Sequence, residues 1–66
     1  MIYQEALKAM KNRSKVKAAG IVYKHINAII FRKTESKEII EIELQSNCQN
    51  SVTIVDIAQA EVSDES

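Results

Sequence analysis

The sequence predicts an α+β domain, mainly β, in which an N-terminal helix precedes a small, strongly bent antiparallel barrel of five strands. Three observations carry this. Residues 2–11 repeat apolar side chains at three- and four-residue spacing, with Tyr3, Leu7 and Met10 on one side and Ala6 beside them. Residues 39–45 alternate strictly, Ile40, Ile42 and Leu44 against Glu41 and Glu43. Between them lies Gly-Ile-Val-Tyr-Lys-His-Ile-Asn-Ala-Ile-Ile-Phe-Arg-Lys, residues 20–33. That stretch is too long for one flat strand and too rich in β-branched residues for a helix, so it reads as a long central strand with a bend.

The helix is expected over residues 2–11. Gln4, Glu5, Lys8 and Lys11 occupy its polar side, and the acid-first, base-last order suits the helix dipole. About ten residues do not hold a helix alone, so its Tyr-Leu-Met stripe must dock on the strands. Asn12 is the expected stop, and Asn12-Arg13-Ser14 a short loop.

A short strand follows at 15–18, Val16 and Ala18 inward, and Ala19-Gly20 turns the chain. The long strand is expected over 21–33. Ile21 and Tyr23 share a face with Ile29 and Phe31, whereas Ile26 breaks parity, which predicts a bulge or bend near Lys24-His25-Ile26. Thr34-Glu35-Ser36-Lys37 is a polar turn. Folding about it sets Phe31 against Ile40, Ile29 against Ile42 and Lys33 against Glu38. After a polar loop at 46–50, a strand over 51–55 would point Val52 and Ile54 inward. Residues 56–59 read as one helical turn and 60–62 as a closing edge strand. Residues 1–62 thus form a single small domain, and Ser63-Asp64-Glu65-Ser66 a disordered acidic tail. The predicted core is Leu7, Met10, Val16, Ile21, Tyr23, Ile29, Phe31, Ile40, Ile42, Leu44, Val52 and Ile54.

At 66 residues the domain is marginal, because a chain this short buries only about 60% of its unfolded surface. No apolar run approaches the ~18 residues of a membrane span. Met1-Ile2-Tyr3-Gln4-Glu5 lacks the basic-then-apolar order of a signal peptide. Cys48 is the single cysteine and can form no internal disulfide. A cytoplasmic location is the expectation.

The charges balance overall but not locally. Residues 1–33 hold eight Lys and Arg against Glu5 alone, net +7, and residues 34–66 hold Lys37 alone against eight Asp and Glu, net −7. Such asymmetry marks either a polyanion-binding face or basic strands paired with acidic ones. The basic group Lys8, Lys11, Arg13, Lys15 and Lys17 is the candidate nucleic-acid contact. The candidate protein contact is Ile30 with Ile39, which fall on the hairpin face opposite Ile40 and Ile42 and need cover from the helix or from a second copy.

Chemistry is otherwise sparse. One histidine, His25, with no Cys or His at ligand spacing predicts no metal site. Cys48 has no His or Lys beside it to lower its pKa. Glu41 and Glu43 share a face that reads as solvated rather than as an acid–base pair. With no Gly-rich loop and no Ser-His-Asp set, a non-enzyme with no cofactor is expected.

One helix, five strands and a tight turn before the last resemble the layout of Src-homology-3-like and Sm-like small barrels. The stretches Tyr3-Gln4-Glu5-Ala6-Leu7, Gly20-Ile21-Val22-Tyr23-Lys24, Ala28-Ile29-Ile30-Phe31-Arg32 and Asn50-Ser51-Val52-Thr53-Ile54 resemble a family of short uncharacterised proteins of Firmicutes prophages and conjugative transposons. Those relatives carry more Gly and Pro in their turns. The resemblance implies a small accessory or protein-interaction module of a mobile genetic element and brings no catalytic or binding residues with it. Its partner would be an unknown protein or a second copy. Tyr23-Lys24-His25 is similar to the Tyr-Lys-His run of the bacterial Sm-like RNA chaperones, where the run lies on a later strand. That similarity supplies the less favoured alternative, a small nucleic-acid-binding barrel using the basic corner at 8–17.

Overall fold

Helix α1 spans Tyr3–Asn12 and is followed by β1 (Val16–Ala18), β2 (Ile21–Tyr23), β3 (His25–Lys33), β4 (Glu38–Gln45) and β5 (Val52–Asp56). A one-turn 3₁₀ helix, Ile57–Gln59, leads into β6 (Ala60–Val62). The structure is a computed structural model and describes residues 1–48 and 50–63. The acidic tail expected at 63–66 lies outside the described residues, apart from Ser63, whose N–H donates to the Lys15 carbonyl at 2.8 Å.

Among the described residues six strands form two antiparallel three-stranded sheets, ordered β2-β1-β6 and β3-β4-β5. The closed five-stranded barrel is therefore corrected. Two local events keep the sheets apart. At Lys24 the expected long strand breaks into β2 and β3, the Lys24 N–H crossing to the Gln45 carbonyl at 2.9 Å. At the other end the 3₁₀ turn, capped by Asp56 Oδ1 accepting from the Ala58 N–H at 2.8 Å, separates β5 from β6.

The bend expected near 24–26 is present, and the register then slips between Ile26 and Ala28, leaving Asn27 as the extra residue of a bulge. Asn27 Nδ2 donates to Gln45 Oε1 at 3.0 Å, and Gln45 Nε2 donates to the Ser51 carbonyl at 3.1 Å. One glutamine side chain thus ties the bulge to the β4–β5 connection. Beyond the bulge the hairpin has the expected register: Ile29 opposite Ile42, Phe31 opposite Ile40 and Lys33 opposite Glu38. Its turn is held by Thr34, which donates through N and Oγ1 to the Lys37 carbonyl and accepts at Oγ1 from the Lys37 N–H.

α1 ends in a Schellman motif: Arg13 sits at φ 53°, its N–H donates to the Met10 carbonyl, and the Ser14 N–H donates to Ala9. The β1–β2 turn places both Ala19 (φ 52°) and Gly20 (φ 76°) in the left-handed region. That is the requirement of a type I′ hairpin, met here by an alanine where asparagine is the usual residue.

The buried core among the described residues is Ala6, Ala9, Val16, Ala18, Tyr23, Ile26, Ile42, Leu44 and Ala60. Of the predicted core, Val16, Tyr23, Ile42 and Leu44 are in it, and Met10 and Ile29 pack against it. Leu7 and Ile40 are half-buried. Ile21, Phe31, Val52 and Ile54 are corrected to the surface, each with a specific cause. Ile21 lies on edge strand β2. Phe31 lies where the hairpin outruns its cover: nine strand residues extend ~30 Å, whereas ten helical residues extend ~15 Å. Val52 and Ile54 are out of phase because Ile42 pairs with Val55 and Leu44 with Thr53. The loop runs one residue longer than expected, and a one-residue slip turns a strand over. On the helix the buried line runs through Ala6 and Ala9, with Tyr3, Leu7 and Met10 flanking it.

Replacing Ile42 by Ala should destabilise the domain by about 2–5 kcal/mol, seen as a large drop in the urea midpoint. Phe31→Ala should cost only about 1 kcal/mol, the scale of an exposed aromatic pair. Ala19→Asn should raise stability by about 0.5–1 kcal/mol, because asparagine tolerates the left-handed conformation. A lower midpoint for Ala19→Asn would contradict the type I′ assignment.

Candidate functional site

The five cations of the expected nucleic-acid contact do not converge. Lys8 and Lys11 lie exposed on α1, on the side away from Ala6 and Ala9, and Arg13 is exposed at the helix cap. Lys15 and Lys17 are half-buried. Alternation along β1 sends Lys17 away from the face on which Val16 and Ala18 join Ala6 and Ala9 in the core. The helical and the strand cations therefore point to opposite sides of the core, joined only by the Arg13 turn. Carboxylates interleave with them. Lys17 stands directly opposite Glu61, and Glu5 shares with Lys8, Asn12, Ser14 and Val62 a groove of ≈ 300 Å³ between α1 and β6.

Ile30 and Ile39 are both half-buried. Ile30 pairs with Glu41 and Arg32 with Ile39, so all four side chains share the outer face of β3-β4-β5, opposite the face of Ile42 and Leu44. The helix covers the inner face only. Between the two isoleucines runs the Arg32 Nε–Glu41 Oε1 ion pair. In the register it crosses diagonally between the strands, from Arg32 opposite Ile39 to Glu41 opposite Ile30, and so divides the patch. Val52 (47% exposed) and Ile54 (44%) extend the same face onto β5.

A second apolar surface was missed in the sequence. Tyr3 and Phe31 meet at the projecting end of the hairpin with ring centroids 5.5 Å apart and planes at 56°. Phe31 is 65% exposed, Tyr3 39% and neighbouring Ile2 67%. The signal that could have found it is the length mismatch between helix and hairpin, together with the polar run from Arg32 to Glu38 beyond Phe31.

Among the remaining candidates, His25 is half-buried at the start of β3, and Glu41 and Glu43 are half-buried on the outer face. Cys48 is exposed in the β4–β5 loop. Among the described residues no group of three or more His, Cys, Asp or Glu gathers as metal ligands do, and no helix is long and apolar enough to cross a membrane.

The Arg32–Glu41 pair should contribute at most about 1 kcal/mol, since Arg32 is well exposed. A double-mutant cycle with Arg32→Ala and Glu41→Ala should return a coupling of that size that shrinks in high salt. A salt-independent coupling would mean that the pair is shielded from solvent. No family model, curated protein or solved structure matches the chain.

Proposed function

We propose that the protein is a small accessory module that acts by contacting another protein rather than by catalysis. The observation that carries this reading is Phe31. The chain's sole phenylalanine stands 65% exposed on a projecting hairpin, backed by Tyr3. A domain with so few large core residues gains nothing for its own stability by leaving that ring in water, and exposed aromatic anchors of this kind dominate protein contacts. Ile30 and Ile39 on the opposite face of the same hairpin give it a second apolar side.

The finer parts of the reading rest on the resemblances. A chain that passes from one small sheet to the other at Lys24 and a one-turn helix before the last strand support a Src-homology-3-like ancestry with an opened barrel. The similarity to prophage and conjugative-transposon proteins supports an accessory role in a mobile genetic element, in the cytoplasm. The rival reading, nucleic-acid binding through Lys8, Lys11, Arg13, Lys15 and Lys17, is disfavoured by their distribution on opposite sides of the core.

Capture from cells with the intact chain and its Phe31→Ser variant tests the proposal. A specific protein should be retained by the parent and bound about thirtyfold more weakly by Phe31→Ser, corresponding to an anchor worth ~2 kcal/mol. A Lys15→Glu/Lys17→Glu variant should retain it undiminished. Titration with labelled single-stranded RNA and duplex DNA at low salt should show no micromolar binding. Binding that falls steeply with salt and is lost in Lys15→Glu/Lys17→Glu would overturn the protein-contact reading in favour of its rival.

A further inference from the structure

We infer that strand β5 is a self-pairing edge, through which two copies of the chain join their β3-β4-β5 sheets into one six-stranded sheet. Among the described residues β5 has β4 on one side and no strand on the other. The direction of its backbone groups follows from two hydrogen bonds. Ser46 N–H donates to the Ser51 carbonyl, so that opposed pair is hydrogen-bonded, and the Gln45 carbonyl accepts from Lys24 on the β3 side. Alternation then directs Thr53 and Val55 toward β4. The N–H and C=O groups of Val52, Ile54 and Asp56 point outward from the sheet edge.

This edge lacks the devices that keep other edges from pairing. From Val52 to Val55 it is Val-Thr-Ile-Val, without charge, proline or bulge, and the strand's one charge, Asp56, sits at its end. The other edges are blunted. β3 carries the bulge at Asn27, packs against α1 and ends in Arg32-Lys33. β2 and β6 are three residues each, and β6 carries Glu61.

A second copy fits because the strand is complementary to itself. An antiparallel two-fold at Ile54 pairs Ile54 with its symmetry mate and Val52 with Asp56, and all three outward-facing residues become hydrogen-bonded pairs. No like charges meet. The two Glu43 side chains, each beside Ile54 in register, would stand three strand spacings apart, ~14 Å, beyond the ~8–10 Å over which salt screens charges. Val52 and Ile54, exposed in the single chain, each gain a cross-strand neighbour in both copies. The joined sheet ends on the blunted β3 edges, so assembly stops at two copies instead of growing into a fibre.

Amide hydrogen exchange and sedimentation of the full chain test this together. Raising the concentration from micromolar to millimolar should double the sedimenting mass from 7.4 kDa. Over the same range the amides of Val52, Ile54 and Asp56 should become protected, while those of Thr53 and Val55 are protected throughout. Ile54→Lys sets two ammonium groups together at the two-fold and should keep the chain a folded monomer by circular dichroism. Phe31→Ser should leave the dimer intact, which separates this inference from the partner surface at the hairpin. A monomer at millimolar concentration overturns it. So does a dimer that survives Ile54→Lys, or one whose outward amides exchange freely. Protection that arises only when an extended peptide is added would assign the edge to a different occupant and equally refute self-pairing.

Discussion

The close approach of α1 to the strands, over Ala6 and Ala9, sets the geometry of the rest. A helix presenting alanines lets its backbone come near the strands, chiefly β3, and Ala6 and Ala9 share one buried cluster with Ala18 and Ala60. The gain is tight packing with little side-chain entropy lost. The consequence is a thin core in which Ile26, Ile42, Leu44 and Val16 are the large side chains fully removed from water. Larger side chains that a thicker core would have absorbed stand at the flanks of the helix or on the projecting hairpin. The same constraint thus explains both the modest interior and the apolar exterior.

Gln45 is the second point on which the fold turns. Its carbonyl accepts from Lys24, and its side chain spans from Asn27 to Ser51. It therefore fixes where the first sheet hands the chain to the second and how the loop after β4 leaves. The bulge and the break at Lys24 release the strand from following the first sheet, which is why two open sheets form where a continuous strand would have curled into a barrel.

The sequence was most legible where alternation is strict. The residues from Ile39 to Leu44 identify their own faces, and once the polar turn at 34–37 is recognised the pairing of β3 with β4 follows. It was least legible where geometry depends on one residue of length. Nothing in Ser46-Asn47-Cys48-Gln49-Asn50-Ser51 says where the loop ends, and the phase of Val52 and Ile54 hangs on that choice. Phe31 has inward parity, but parity carries no information on how far the covering helix reaches. Alanine gives a weak hydrophobic signal, so the line through Ala6 and Ala9 was overshadowed by Tyr3, Leu7 and Met10. The basic corner illustrates the same limit. Lys8 to Lys17 are neighbours in the chain, but a helix and a strand distribute neighbours by different periods.

The two sheets also differ in how far along the chain their strands must find each other. β3, β4 and β5 form a meander in which each pairing joins neighbouring segments, whereas β1 pairs with β6, bringing residue 16 to residue 62. Short loops close quickly and at small entropic expense, and distant ones close slowly. The meander is therefore the natural nucleus of folding, and the β2-β1-β6 sheet, with its three-residue strands, assembles around it last. A chain in which that docking had not yet taken place would hold the unguarded side of β5 and the apolar inner face of the hairpin open together, and so would offer more sticky surface than the finished domain.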